Sequence, residues 1–418
     1  MTADHPRRDG FIAARTSELA AAISAESGLP AESQALGDVL RLLGALMQQE
    51  AHARLEQLKA LYDPLDPDAP AARRDVSPQA FAAFESALAE ALTRANFVEI
   101  DPDTVQTRAA TKLMTGLAIK PSRAGIRRIR FFARGVRPLN LEIKTLFGLR
   151  KQTVNAEMMN DVVVLVGFKA DAEIERADEA AFRQMRRGVR PGAALVKHFR
   201  NVATPELVTL HPGARPSMRR TDQVVLAAPA VATGVPVLLN LWPALTVLFA
   251  VIAAYFGAQG VIEENELKRA VAAISGLVAV VAFVMRQRLK YEATTLRYQK
   301  RLADTVYFRN LANNAGVLDL LIGAGGEQET KEAFLAYWTL RRHDKALTKA
   351  EIDAAAEAFL REKLGLDVDF EINDALAKLE RFGLVTREGE AYAALAPAAA
   401  LALLDAAWDG LFNFSARR

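Results

Sequence analysis

The sequence predicts a predominantly helical α+β protein with a two-helix transmembrane hairpin and a C-terminal winged-helix-like module. Three observations predict this architecture: the stretch 223–262 has no charged residue, the N-terminal part has helical periodicity, and the middle has short β-branched runs. A chain of 418 residues has room for two or three domains. We divide it into an N-terminal helical region (1–96), a basic α+β module (97–220), the transmembrane hairpin (221–290), a helical extension (291–345) and an acidic winged-helix-like module (346–418).

The first span of the hairpin is predicted from the uncharged run 238–257. About 20 helical residues cross the roughly 30 Å hydrocarbon core of a bilayer, and this run is long enough. Trp242 and Tyr255 lie near its two ends, where aromatic rings act as interface anchors at the lipid headgroups. The alternative is a buried core helix of a large protein.

A second apolar run, 270–285, predicts the other span. Its sixteen residues extend only about 24 Å as a helix, but the flanking Lys268 and Arg286 have side chains long enough to reach the interface. The alternative is a re-entrant hairpin that does not cross. Small residues spaced four apart would let the two helices pack closely: Ala250, Ala254, Ala272 and Gly276.

Basic residues around the hairpin predict its orientation, because Lys and Arg accumulate on the cytoplasmic side of a membrane. Three arginines precede the first span and four basic residues follow the second, against two in the connecting loop. The N-terminal segment lacks the apolar core of a secretory signal, and its acidic residues argue against a mitochondrial presequence. We therefore predict a multi-pass protein of the bacterial inner (cytoplasmic) membrane with both termini cytoplasmic.

Two amphipathic helices are predicted in the N-terminal region. The segment 33–62 has apolar residues at helical spacing, and a second helix follows Ser77 as cap and Pro78 at the first helical position. We expect both to be ordinary core helices. Their predicted core residues are Leu36, Val39, Leu40, Leu43, Leu46 and Met47 on the first, and Phe81, Phe84, Leu88 and Leu92 on the second.

The segment 106–220 is strongly basic, with 23 Lys and Arg against 9 Asp and Glu, although the whole chain has a net charge of only +3. Short β-branched and aromatic runs predict strands with arginines on one face. One interpretation is a platform for anionic lipid headgroups, and the alternative is that these arginines pair with acidic groups elsewhere in the protein. The lipid-headgroup candidates are Arg127, Arg128, Arg130, Arg134, Arg137, Arg215, Arg219 and Arg220.

Two separated motifs carry a family resemblance. The first, in 196–239, begins with Lys197, Phe199, Arg200, Asn201 and Val202 and continues to the turn His211, Pro212 and Gly213. The second, in 298–338, contains Tyr307, Phe308, Asn310, Leu311, Asn313 and Asn314, then Glu327, Lys331, Glu332, Ala333 and Tyr337. Together they resemble the transmembrane protein 143-like family of uncharacterised membrane proteins, which usually has Leu where this chain has His211. The resemblance covers about 120–385 and implies an integral membrane protein without an assigned activity.

The C-terminal part is predicted to be helix, helix and then hairpin, an order that resembles a winged-helix module. Thr348 and Glu351 form a capping box for the first helix, and Gly383 ends the second. The segment 346–418 contains 13 acidic and 8 basic residues. Because phosphate contacts supply most nucleic-acid affinity, nucleic acid is an unlikely partner and a protein contact is favoured.

No residue pattern in the sequence names a reaction. Cysteine is absent, and the five histidines are scattered. His198 and His211, with Glu206 between them, form the most compact polar cluster, but a third neutral ligand and a nucleophile are missing. We therefore predict no enzyme, no cofactor and no metal site, and leave open whether a ligand binds near these histidines.

We predict a membrane-anchored binding or scaffolding component. Its expected partners are the lipid bilayer, with anionic lipids at the basic module, and an unidentified protein. Homo-oligomerisation is left open. The alternative is a membrane-tethered regulator that binds nucleic acid or protein through the winged-helix-like tail.

Overall fold

The computed structural model describes residues 10–26, 30–101, 118–145, 150–176, 178–186, 188–217, 246, 249, 252–253, 257, 264–343 and 345–412. The chain divides into two compact units. The large unit consists of 1–108, 123–212 and 309–418, and the small unit consists of 109–122 and 213–308.

The described helices and strands confirm the α+β class. The helices are α1 (Thr16–Glu26), α2 (Pro30–Tyr62), α3 (Pro78–Arg94), α4 (Glu179–Arg186), α5 (Glu264–Arg309), α6 (Ala315–Arg342), α7 (Lys349–Leu364), α8 (Ile372–Arg381) and α9 (Pro397–Gly410). The strands are β1 (Val98–Ile100), β2 (Ala118–Pro121), β3 (Ile126–Thr145), β4 (Arg150–Phe168), β5 (Ala194–Ala203), β6 (Ala214–Ser217), β7 (Asn310–Asn313), β8 (Leu347–Thr348), β9 (Val385–Glu388) and β10 (Ala391–Ala394).

A five-stranded antiparallel sheet in the order β1-β3-β4-β5-β7 forms one layer of the large unit. Its central strand β4 carries the run Val162, Val163 and Val164, and all three valines are buried. β-branched residues on both faces of a strand are expected where both faces are covered. The sheet therefore has a buried centre against which α3 and the start of α6 pack.

Helix α6 connects the two apolar cores of the large unit. Its N-terminal half, with Val317 and Leu321, packs in the core formed by the second half of α2, helix α3 and the sheet. Its C-terminal half, with Phe334 and Tyr337, packs with α1, the first half of α2 and the C-terminal elements. A helix that is buried on all sides must also bury its polar residues, so polar groups of α6 lie inside the protein.

The predicted N-terminal helices are confirmed, including their cores. Ser77 caps α3 by accepting a hydrogen bond from the Ala80 amide at 3.1 Å, and Pro78 is the first helical residue. The predicted core residues Phe81, Phe84, Leu88 and Leu92 are all buried, as are those of α2. Here local sequence and long-range packing require the same structure.

The C-terminal elements follow the predicted order of helix, helix and hairpin. Thr348 and Glu351 form the capping box of α7, and Gly365 ends it in the left-handed region at φ 67°. Strands β9 and β10 pair across a turn at Gly389, and the small sheet has the order β8-β10-β9. This arrangement is typical of winged-helix modules.

The small unit contains the antiparallel pair β2 and β6 and most of α5. Within the residues that the structure describes, no helix combines the length and the apolar character needed to cross a membrane. The run 270–285 lies inside α5, and its sixteen residues extend about 24 Å, less than the roughly 30 Å core of a bilayer. The charged Arg286 and Arg288 follow it directly in the same helix.

The predicted transmembrane hairpin is therefore wrong: its second run does not span, and its first run, 238–257, lies almost entirely outside the described residues. The predicted location, a multi-pass protein of the bacterial inner membrane with both termini cytoplasmic, is wrong as well. That location depended on two spanning helices. Of the residues predicted to pack the two spans together, Ala272 and Gly276 belong to α5, whereas Ala250 and Ala254 lie outside the described residues. The predicted anchors Trp242 and Tyr255 also lie outside them.

The helical extension differs from its prediction as well. Instead of one continuous helical extension over 291–345, the structure has two helices: α5 ends at Arg309, and α6 starts at Ala315 and continues to Arg342. Asn314 separates the two helices with φ 52° and ψ −128°. Few residues adopt this conformation, so it interrupts the helical path.

Candidate ligand-binding cleft

A cleft in the large unit is formed by α2, α3, α6 and α8 and has two chambers. The apolar chamber lies between α2, α3 and α6 and has a volume of about 150 Å³. The polar chamber lies between α2, α6 and α8 and has a volume of about 460 Å³. Arg54, Arg94 and Glu329 line both chambers, so the two chambers adjoin at these side chains.

Small and aliphatic residues form most of the walls of the apolar chamber, and Gln57 and Glu90 line it together with the three shared charged residues. Alanines at 51, 87 and 91 and glycines at 325 and 326 leave space between the helices. At Gly326 a β-carbon would lie 3.1 Å from the Gln48 side-chain nitrogen and 3.3 Å from the Ala51 β-carbon. This glycine thus lets α6 approach α2 closely. The larger apolar residues of the walls are Leu58, Leu61, Leu321 and Ile322.

Glu329 is the central charge of the cleft. It is only 2% exposed, and its two carboxylate oxygens accept hydrogen bonds from the two terminal nitrogens of Arg54, each at 3.1 Å. Arg94 Nη1 and Lys378 Nζ each lie 3.9 Å from a Glu329 oxygen. A bidentate arginine pair fixes both the position and the plane of a carboxylate. The cleft therefore holds one buried carboxylate within reach of three cations.

Glu332 lies one turn further along α6, behind the cleft. Its carboxylate accepts hydrogen bonds from Asn96 Nδ2 at 2.8 Å and Gln328 Nε2 at 3.2 Å, and Lys378 Nζ is 3.9 Å away. Burial raises the pKa of Glu332 to about 7, although Lys378 and the two amides favour the charged form. Asn96 also donates to the Gly10 carbonyl at 2.7 Å, which ties the N-terminal segment to this group.

A separate buried ion network joins the strands of the sheet. Asp161 contacts Arg134 Nε and His198 Nε2, both at 3.0 Å. Burial alone would raise the pKa of Asp161, but the hydrogen bond with His198 and the charge of Arg134 lower it to about 2. The Arg134 guanidinium also donates to the Ala95 carbonyl and lies 4.6 Å from the ring centre of Phe97.

Most of the predicted lipid-headgroup arginines that the structure describes make polar contacts within the protein. Four of them make ion pairs, Arg137 lies 3.5 Å from the Asn201 side-chain oxygen, Arg215 belongs to β6, and Arg219 and Arg220 lie outside the described residues. The four pairs are Arg127 with Glu173 (2.7 Å), Arg128 with Glu85 (3.1 Å), Arg130 with Glu99 (2.6 Å) and Arg134 with Asp161 (3.0 Å). These contacts correspond to the alternative interpretation of the basic segment.

Anionic-lipid binding by the basic segment stays a prediction. Because four candidate arginines are neutralised by nearby carboxylates, we expect any preference for anionic vesicles to be small and to vanish at high salt. Sedimentation of the full chain with vesicles of neutral lipid, or of neutral lipid mixed with phosphatidylserine, measures it. Equal recovery with both vesicle types at low salt would contradict the prediction.

The two histidines of the predicted polar cluster have separate environments. His198 contacts Asp161, whereas His211 is buried, and burial together with Arg123 lowers its pKa to about 4. Glu206 forms an ion pair with Arg309. In the part of the chain that the structure describes, no group of three or more acidic or histidine side chains is arranged to hold a metal ion.

The basic residues of α8 are relevant to the predicted nucleic-acid alternative. In a winged-helix module the second helix of the pair normally enters the major groove. Here its basic residues make ion pairs within the protein: Lys378 with Asp374, and Arg381 with Glu50 of α2 at 2.9 Å. These contacts and the acidic excess of the segment do not favour phosphate binding, and the nucleic-acid alternative stays a prediction.

Comparison with known proteins finds one family model that is similar to part of the chain. The model of a family described as "Protein of unknown function (DUF3754)" matches residues 159–316, which is less than half of the chain. No curated protein and no solved structure matches the chain. The matched segment includes the second half of β4 and all of β5, α5 and β7, whereas the residues that line the cleft lie outside it. The resemblance to the transmembrane protein 143-like family stays a prediction.

Proposed function

We propose that this chain is a small-molecule binding protein whose ligand occupies the cleft of α2, α3, α6 and α8. The observation that supports the proposal is an apolar chamber that opens beside a bidentate ion pair between the buried Glu329 and the partly exposed Arg54. Ligand sites are typically concave and mostly apolar, with a few fixed polar groups that orient the ligand. The cleft has this composition, and its walls belong to helices rather than loops.

Binding, rather than catalysis, is the role that the polar groups of the cleft favour. Arg54, Arg94, Lys378 and Glu329 are held in ion pairs, an arrangement that suits recognition of charge and shape. The proposal keeps the predicted role as a binding component and assigns it to a defined site. The unidentified protein partner and homo-oligomerisation stay predictions.

Filling the apolar chamber should strongly weaken binding of an apolar probe. Ala91 lines the chamber on α3 and is half-buried, so Ala91→Leu places a branched side chain in the space that the ligand needs. We expect benzyl alcohol to bind the full chain weakly, and the variant to bind it at least about ten-fold more weakly. Saturation-transfer NMR titration of the probe measures both affinities.

The matched control is Ala83→Leu, the same change on an exposed position of the same helix. It should leave the affinity for benzyl alcohol unchanged. Saturation transfer that is absent from the unmodified chain, or equal for the two leucine variants, would refute the proposed site.

A further inference from the structure

The polar chamber contains more positive than negative groups. Its walls carry four basic side chains, Arg54, Arg94, Lys378 and Arg381, against three carboxylates, those of Glu50, Glu329 and Asp374. Glu90, which pairs with Arg94 at 3.0 Å, lines the adjoining apolar chamber and supplies a fourth carboxylate. The charges of the whole cleft are therefore balanced, and the case for an anionic ligand rests on the two guanidinium groups at the chamber boundary.

Two guanidinium groups lie at the boundary between the chambers and remain accessible. The side chain of Arg54 is 29% exposed and that of Arg94 is 46% exposed, whereas Glu329 is buried. The pairing of Arg54 with Glu329 shows that its guanidinium group is oriented for a carboxylate. Arg94 donates from Nη2 to Glu90 at 3.0 Å, but its Nη1 lies 3.9 Å from Glu329, beyond hydrogen-bond distance, so Nη1 retains capacity to donate to a ligand oxygen.

The size of the apolar chamber limits the apolar part of the ligand. Its volume is about 150 Å³. A protein cavity of about 150 Å³ lined by aliphatic residues is large enough to bind benzene. One aromatic ring or a short alkyl group therefore fits, whereas a long lipid chain does not.

We infer that the cleft binds a small amphipathic anion: an aromatic or short alkyl group in the apolar chamber, joined to a carboxylate or phosphate that Arg54 and Arg94 hold at the chamber boundary. This inference rests on the binding function proposed above. In the absence of ligand, the Glu329 carboxylate takes the place of the anion on Arg54. Glu329 is thus a competitor of the ligand as well as a structural partner of Arg54.

Four probes that share one aromatic ring test the inference on the full chain: benzoate, phenyl phosphate, benzyl alcohol and benzylammonium. We expect benzoate or phenyl phosphate to bind at least about ten-fold more tightly than benzyl alcohol, as one charge-assisted hydrogen bond would give. Tighter binding of benzoate than of phenyl phosphate assigns a carboxylate ligand, and tighter binding of phenyl phosphate assigns a phosphate. Equal or tighter binding of benzyl alcohol or benzylammonium overturns the inference while leaving the proposed binding function intact.

Two variants locate the effect at the chamber boundary. Arg94→Gln should weaken benzoate binding by about ten-fold and leave benzyl alcohol binding unchanged, because it removes one cation near the anion. Glu329→Gln should tighten benzoate binding, because a neutral amide competes less for Arg54 than a carboxylate does. The control Arg41→Gln changes an 82% exposed arginine of α2 outside the cleft and should change neither affinity. Equal benzoate affinities for Arg94→Gln and Arg41→Gln would contradict the assignment.

Discussion

Replacing Asp161 by alanine is expected to lower the free energy of unfolding by about 3–5 kcal/mol. Asp161 is the shared partner of Arg134 and His198, whose side chains are only 7% and 5% exposed. Without the carboxylate, the buried guanidinium group of Arg134 loses this charged partner, and its remaining contacts include the Ala95 carbonyl and two aromatic rings. Removing one member of a buried pair costs more than the pair itself contributes, because the remaining charge stays desolvated.

Urea unfolding followed by tryptophan fluorescence measures this loss, since Trp338 lies in the core of the large unit. The control is Asp63→Ala, which removes a partner of Arg73 in an exposed ion pair and should cost at most about 1 kcal/mol. The unmodified chain should also lose the contribution of Asp161 as the pH falls from about 3.8 through about 2, because the folded-state pKa is the lower one. A loss as small as that of the control would contradict the structural role of Asp161.

Replacing Glu332 by glutamine is expected to remove a pH dependence of stability. Burial raises the folded-state pKa of Glu332 from 4.5 to about 7. Between these values the folded chain retains a proton that the unfolded chain has released, so the free energy of unfolding falls as the pH rises. Glutamine does not titrate, and it can still accept the hydrogen bonds from Asn96 and Gln328. Between about pH 4.5 and pH 8, the free energy of unfolding of the variant should therefore rise relative to that of the unmodified chain by on the order of 3 kcal/mol.

Urea midpoints measured across this pH range test the prediction. The control is Glu388→Gln, which changes an exposed residue of β9 and should keep the pH dependence of the unmodified chain. If the urea midpoints of Glu332→Gln and the unmodified chain changed with pH in the same way, Glu332 would be ionised throughout the range. That result would contradict its burial as a protonated group.

The parts of the fold that could be predicted are those that local chemistry determines. Ser77 and Pro78 mark the start of α3, and Thr348 with Glu351 marks the start of α7, because caps act within one helical turn. The core residues of α2 and α3 followed from their spacing. These signals require no knowledge of distant parts of the chain.

The transmembrane hairpin shows the weakness of an argument from apolar runs. The prediction counted sixteen apolar residues in 270–285 as a span by extending it with the side chains of flanking basic residues. In the structure this run lies in the first half of a 46-residue helix whose second half carries many charges. The length of an apolar run decides between spanning and not spanning only when it is clearly long enough.

The cleft could not be predicted because its residues are far apart in the sequence. Glu327 to Glu332 is an unbroken run of polar residues, yet Glu329, Lys331 and Glu332 are buried. The N-terminal segment covers Lys331, whose Nζ donates to the Ile12 and Ala14 carbonyls at 2.8 and 3.0 Å. Arg54, Arg94 and Lys378 come from three further helices or helix ends, and no spacing rule links them to Glu329.

The most direct test of the proposed cleft is a crystal structure of the full chain with 4-iodobenzoate, located by the anomalous scattering of iodine. The account predicts an iodine peak in the apolar chamber beside Leu58 and Ile322, with the carboxylate of the probe on Arg54 and Arg94. An empty chamber at saturating probe, or iodine only at sites elsewhere on the protein, would contradict it.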